Sequence, residues 1–162
     1  MASAPKWLSA HELRSWMALT ALLESLPAAL DAQLKRDGGI TTFDYLVLAG
    51  LSESPRQART MSDLAIFATS SLSRLSHALD RLDARGWLHR RPLSGRQVEV
   101  QLTDAGRRKV TESAPGHVAE VRRLVLDVLT PGEVEQLGVI ASKVLRVVAP
   151  DIARHLDDKA SA

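Results

Sequence analysis

The chain has 162 residues, 45% apolar and 25% charged, the mix of a globular protein near the length of one ordinary domain rather than of a disordered one. It contains no cysteine, which excludes disulfides, thiolate zinc sites and thiol catalysis and fits a reducing, cytoplasmic setting. The net charge is only +2, yet residues 54–109 hold eleven Lys and Arg against five acids, a local +6 inside flanks that sum to −4.

Ser9 and Glu12 have the spacing of a capping box, and Leu13, Trp16, Leu19, Leu23, Leu26, Leu30 and Leu34 then recur at three- and four-residue steps. This predicts a long helix, bent or split at Pro27 and stopped by Gly38-Gly39. Thr41 to Asp44 opens a shorter helix bearing Phe43, Leu46, Val47 and Leu51. Residues 52–59 read as a polar connection, after which Ser62 caps a short helix with Leu64, Ala65 and Ile66 inward. Thr69 to Ser71 supplies the next cap, for a helix with Leu72, Leu75, Leu79 and Leu82 inside and Gly86 at its end. Its other face is Ser70, Ser71, Ser73, Arg74, His77 and Arg81.

Beyond Gly86 the apolar period changes to two. Residues 87–91 and 97–102 read as the strands of a hairpin around the turn Pro92 to Gly95. Helical pattern resumes at Thr103, with an interruption predicted around Pro115-Gly116. Thr130 to Glu133 is a second capping box, followed by Val134, Leu137, Ala141, Val144 and Val148. Residues 151–162 read as a frayed polar tail.

Short helix, capped helix and two-stranded hairpin, in that order, predict a winged helix-turn-helix. The fold class is mainly α (α+β), with N- and C-terminal dimerisation helices. In such a module the second helix enters the major groove of DNA. Serines at its start offer donors to phosphates, and Arg74 has the planar fork that pairs with guanine. Arg90, Arg91 and Arg96 on the hairpin add cations that can reach the minor groove or the backbone. The apolar helices outside the module are predicted to pack between two copies of the chain, with an elaborated monomer as the other reading. A homodimer places two such helices one DNA turn apart over a pseudo-palindromic operator. The boundaries are residues 1–40 for the N-terminal dimerisation helix, 41–109 for the DNA-binding domain and 110–150 for the C-terminal dimerisation helices.

Five blocks appear in order: residues 43–48, 61–65, 70–75, 81–90 and 102–106. Together they resemble the multiple-antibiotic-resistance-regulator (MarR) family of bacterial transcription factors over about residues 16–148. The resemblance also extends to the branch with Ala114-Pro-Gly-His-Val118 after the wing. It implies an obligate homodimer on intertwined terminal helices that binds double-stranded DNA, usually as a repressor, and leaves it when a small phenolic or other aromatic anion binds. It puts base and phosphate contacts on Ser70, Ser71, Ser73, Arg74 and His77, and the minor-groove contact on Arg96. The family wing usually carries Asp-x-Arg; here Ser94 stands at the aspartate position and the stretch is about two residues short. A serine cannot hold an arginine by charge-assisted pairing, so a shorter, looser wing is expected.

Trp16 and Tyr45 read either as core packing or as flanks of an aromatic effector. His117 reads either as structural or as lying near that effector cavity. His11, His77, His89, His117 and His155 are scattered without ligand spacing, so no metal and no other cofactor is expected. No Ser-His-Asp pattern, phosphate loop or paired-carboxylate motif argues for an enzyme. No apolar run approaches the roughly 20 residues that cross a bilayer, and residues 1–6 lack a signal pattern, so no membrane partner is expected. The competing functional reading is a homodimeric interaction protein of the same fold that has lost its operator.

Overall fold

The structure, a computed structural model, describes residues 5–160 except 94 and 96. The expectations placed on Ser94 and Arg96 therefore lie outside the described residues. Both halves of the Ser9–Glu12 capping box form, and they start helix α1 (Ala10–Gly38). Of the bend or split predicted at Pro27, the split does not occur. The carbonyl deprived of its donor belongs to Leu23, on an exposed part of the helix where solvent access lowers the penalty. Gly39 ends the helix in the left-handed region at φ +64°, a geometry that favours glycine.

Thr41 and Asp44 close a second box at the start of α2 (Thr42–Ser52). The supposed connection after it contains a 3₁₀ turn (Pro55–Gln57) and a strand, β1 (Ala58–Thr60), which the sequence did not reveal. Thr60, not Ser62, caps α3 (Met61–Phe67). Arg56 and Gln57 take positive φ of 57° and 54° to turn the chain, and β1 exists because β3 pairs with it. Three residues are too few to display an alternating pattern.

Ser71 caps α4 (Leu72–Ala84). Strands β2 (Leu88–Pro92) and β3 (Val98–Leu102) form the antiparallel hairpin, and the sheet order is β1-β3-β2. Helix α5 (Asp104–Val121) begins at a Thr103 cap and runs through Pro115-Gly116 without the predicted interruption. The carbonyl that Pro115 leaves without a donor is on exposed Thr111. A π-helical turn (Arg122–Leu126) follows, then α6 (Pro131–Val148) from its own capping box. The expected frayed tail is instead a helix, α7 (Pro150–Ala160), opened by proline at a favoured first position, packed on α3 and α6, with Ala153 buried.

The main core joins Phe43, Val47, Leu48 and Leu51 of α2 to Leu64 of α3, to Leu75, Leu79 and Leu82 of α4, and to Leu88, Val100 and Leu102 of the sheet. Leu72 departs from expectation: it stands at the first position of α4, beyond the edge of the core, and is 55% exposed. On α1, Leu34 is buried while Leu13, Trp16, Leu19 and Leu23 are open, and α6 buries no residue at all. Among the described residues nothing covers these apolar faces.

Gly106 lets the start of α5 lie directly against the backbone of Trp87, the residue before β2. A Cβ there would lie 2.0 Å from the Trp87 carbonyl oxygen and 2.7 Å from Leu102 Cδ1. Gly106→Ala should therefore destabilise the fold by about 3 kcal/mol or more, the upper range for overpacking. Gly132→Ala, with open space around it, should shift the urea midpoint little. Equal midpoints for the two variants would refute the close-approach argument.

Candidate nucleic-acid interface

With Leu75, Ala78, Leu79 and Leu82 facing the core, the helical period turns Ser73, Arg74, His77 and Arg81 outward. Ser71 accepts the Arg74 N–H and so satisfies one orphan donor of the helix start, while the Ser70 hydroxyl donates to the Ser71 carbonyl. Ser70 is half-buried and the other residues predicted on this helix are exposed. The structure thus gathers Ser70, Ser71, Ser73, Arg74 and His77 along one side of one helix. Exposed Leu72 stands at the same end, an apolar contact that the sequence reading assigned to the core.

Beside this face runs an open groove of about 900 Å³ between α4 and the α1–α2 corner. Arg74, His77 and Arg81 line one side, and Asp31 and Phe43 lie on the other. The Arg74 guanidinium sits over the Phe43 ring, 4.4 Å from its centroid. Arg81 donates to Asp44 at 2.9 Å. Asp44 is almost fully buried and also accepts the Thr41 N–H of its capping box, so a single carboxylate ties the start of α2 to α4. Asp31 accepts the Thr42 N–H and pairs with Lys35, and the Lys35 bond above all holds its carboxyl below the usual range.

The two wing arginines among the described residues, Arg90 and Arg91, are engaged within the chain. Arg90 pairs with Asp80 at 2.8 Å and Asp83 at 3.5 Å, which ties β2 to α4. Arg91 bonds its cross-strand neighbour Glu99 at 2.7 Å.

Of the three residues suggested for an effector, two come together. The rings of Tyr45 and His117 lie 4.6 Å apart where α2 meets α5. Burial, followed by the charge of Glu53, raises the Tyr45 phenol, and burial lowers the His117 imidazole. His117 Nδ1, Gln33 Oε1 and Ser113 Oγ are buried polar atoms without a hydrogen-bond partner among the described residues. Gln33 lies against α5 at Gly116, where a Cβ would be 3.3 Å from its amide nitrogen. No sequence pattern had singled out Gln33 or Ser113. Trp16 is not part of this cluster. It stands on the exposed face of α1, seventeen residues before Gln33, a separation of about 26 Å along a straight helix.

A capped helix pair followed by an antiparallel wing, framed by further helices, is a winged helix-turn-helix of the kind that transcription regulators carry. No protein-family model matches the chain. Among solved structures, it is 39% identical to Sco3205, a MarR family transcriptional regulator from Streptomyces coelicolor in complex with DNA, with a TM-score of 0.87 over 90% of this chain and 93% of that one. It is 34% identical to AbsC, a MarR family transcriptional regulator from the same organism, with a TM-score of 0.79 over 95% and 99%. It is also 35% identical over 86 residues to the HTH-type transcriptional regulator PecS of Dickeya dadantii, a match spanning 52% of this chain and about half (46%) of that protein. The chain belongs to the MarR family of transcriptional regulators. Among the described residues, no helix is long and apolar enough to cross a membrane.

The burial of His117 has a measurable sign. Below pH 6.5 the unfolded chain takes up a proton that folded His117 resists, so stability falls as pH drops through that value. Urea unfolding between pH 7.5 and 5 should show this loss in the wild type and less of it in His117→Phe. Parallel pH profiles would mean that His117 titrates alike in both states.

Proposed function

We propose that this chain acts as a homodimeric, DNA-binding repressor that a small aromatic anion releases from its operator. The carrying observation is the outer face of α4, where a capped helix start, serine hydroxyls, Arg74 and His77 stand together beside a wing. The likeness to a family member solved with DNA supports the same role here. In this reading residues 41–109 form the DNA-binding unit, while residues 1–40 and 110–150 form the dimer frame.

Ser70, Ser71 and Ser73 contact phosphates, Arg74 and His77 reach base edges, and Leu72 offers an apolar surface to a thymine methyl group. Arg90, Arg91 and Arg96 add charge along the flanking backbone. The uncovered faces of α1 and α6 support dimerisation, since exposed Leu, Ile, Val and Trp side chains gain by mutual burial. The effector reading rests on Tyr45 and His117, with the unpaired polar atoms of Gln33 and Ser113 beside them. Trp16 joins such a site only if a second copy supplies it.

Binding to a fluorescent duplex from upstream of its own gene, followed by anisotropy, should weaken steeply with salt, with a log–log slope of about −0.9 per neutralised phosphate. Arg74→Ala should cost about 1–3 kcal/mol on the preferred duplex and relax the preference there. Arg96→Ala should instead weaken binding to preferred and random duplexes alike. A flat salt response, with a dimer in sedimentation, would favour the interaction-protein reading; a monomer would remove both.

A further inference from the structure

Arg74 differs from the other arginines around α4 in what holds it. Arg81, Arg90 and Arg91 each spend N–H donors on a carboxylate. Arg59 and Arg85 also lie over rings, those of Phe67 and Trp87, but each donates to a backbone carbonyl, of Gly50 and Gly39 respectively. Among the described residues, the Arg74 guanidinium makes no hydrogen bond or ion pair, and its contact is the Phe43 face at 4.4 Å.

The distinction has a chemical consequence. A guanidinium attracted to the face of a ring spends none of its five N–H donors on a hydrogen bond, so they remain available to another partner. Arg81, Arg90 and Arg91 each turn a terminal nitrogen of the fork toward a carboxylate, and those donors are occupied. An arginine held by nothing must lose rotamer freedom before it can pair with a base.

The ring is itself fixed. Phe43 is nine-tenths buried in the main core, beside Asp44, which grips Arg81 two turns further along the same side of α4. We infer that Phe43 is a positioning residue for sequence reading: it fixes where the Arg74 guanidinium sits and leaves its N–H fork free for a base edge. The inference rests on the DNA-binding reading above and adds a residue that touches no DNA itself.

The test uses the full-length protein, a duplex enriched from a random library by the wild type, and a scrambled duplex of equal length and composition. Phe43→Leu keeps an apolar side chain in the core and removes the ring; Phe43→Tyr keeps the ring. Phe43→Leu should lower the enriched-to-scrambled affinity ratio about tenfold, and Phe43→Tyr should restore it. In the Phe43→Leu background, Arg74→Ala should cost several-fold less than in the wild type. A purely structural Phe43 would weaken both duplexes equally and leave the cost of Arg74→Ala unchanged, and that result overturns the proposal.

If Phe43→Leu does not fold, nitrogen relaxation of arginine Nε–H groups in the wild type decides the matter. Arg74, assigned through Arg74→Lys, should be clearly more ordered than exposed Arg108, and equal mobility overturns the inference. Failure of the wild type to enrich any sequence defeats the DNA-binding reading and this inference with it. Retained preference in Phe43→Leu defeats the inference alone.

Discussion

Leu75, Ala78, Leu79 and Leu82 expose no surface, and their burial under α2, α3 and the sheet fixes α4 in rotation about its own axis. A helix held by one apolar stripe has no choice about what its opposite side presents. The orientation of Ser73, Arg74 and His77 is therefore a result of core packing. The Asp44–Arg81 pair and the Arg90 pairs with Asp80 and Asp83 add lateral ties from α2 and from β2. None of these ion pairs is deeply buried on both sides, so their main effect is to fix direction rather than to add much stability.

Around that rigid unit the chain is unfinished as a single copy. The helix-turn-helix closes its core with residues from three helices and the sheet, whereas α6 buries nothing and the first half of α1 lies open. Both helices are nevertheless well started, by capping boxes at Ser9 and Thr130. Local signals thus specify helices whose packing a single copy leaves incomplete. That contrast is the physical basis for the dimeric reading.

Much of this was legible in the sequence, because the relevant signals are local. The capping boxes at Ser9 and Thr130, the Ser71 cap, the glycine at the end of α1 and the alternation of residues 98–102 follow from side chains a few positions apart. The failures share a cause. Strand β1 depends on a partner some forty residues away, and α7 depends on a seat against α3, so their own polar stretches carry no strong pattern. A split at Pro27 and an interruption at Pro115 do not occur, because the freed carbonyls fall on exposed residues, which a sequence does not show. In the candidate site, spacing revealed which residues share the outer face of α4. It could not reveal that Phe43 lies under Arg74, that Asp44 holds Arg81, or that Trp16 and His117 sit far apart.

Helix α1 is continuous over 29 residues, about 43 Å, and its foot is anchored by buried Leu34 and by the bond from the Thr42 N–H to Asp31. A rod fixed near one end is a lever. A pivot of about 5° at that foot would sweep the far tip through roughly 4 Å, more than the reach of a hydrogen bond. The same foot carries Gln33 and borders the corner where α2 begins. Small rearrangements around Tyr45 and His117 would thus be geared up into large displacements at the opposite extremity, and movement imposed there would be geared down into fine adjustments beside α4.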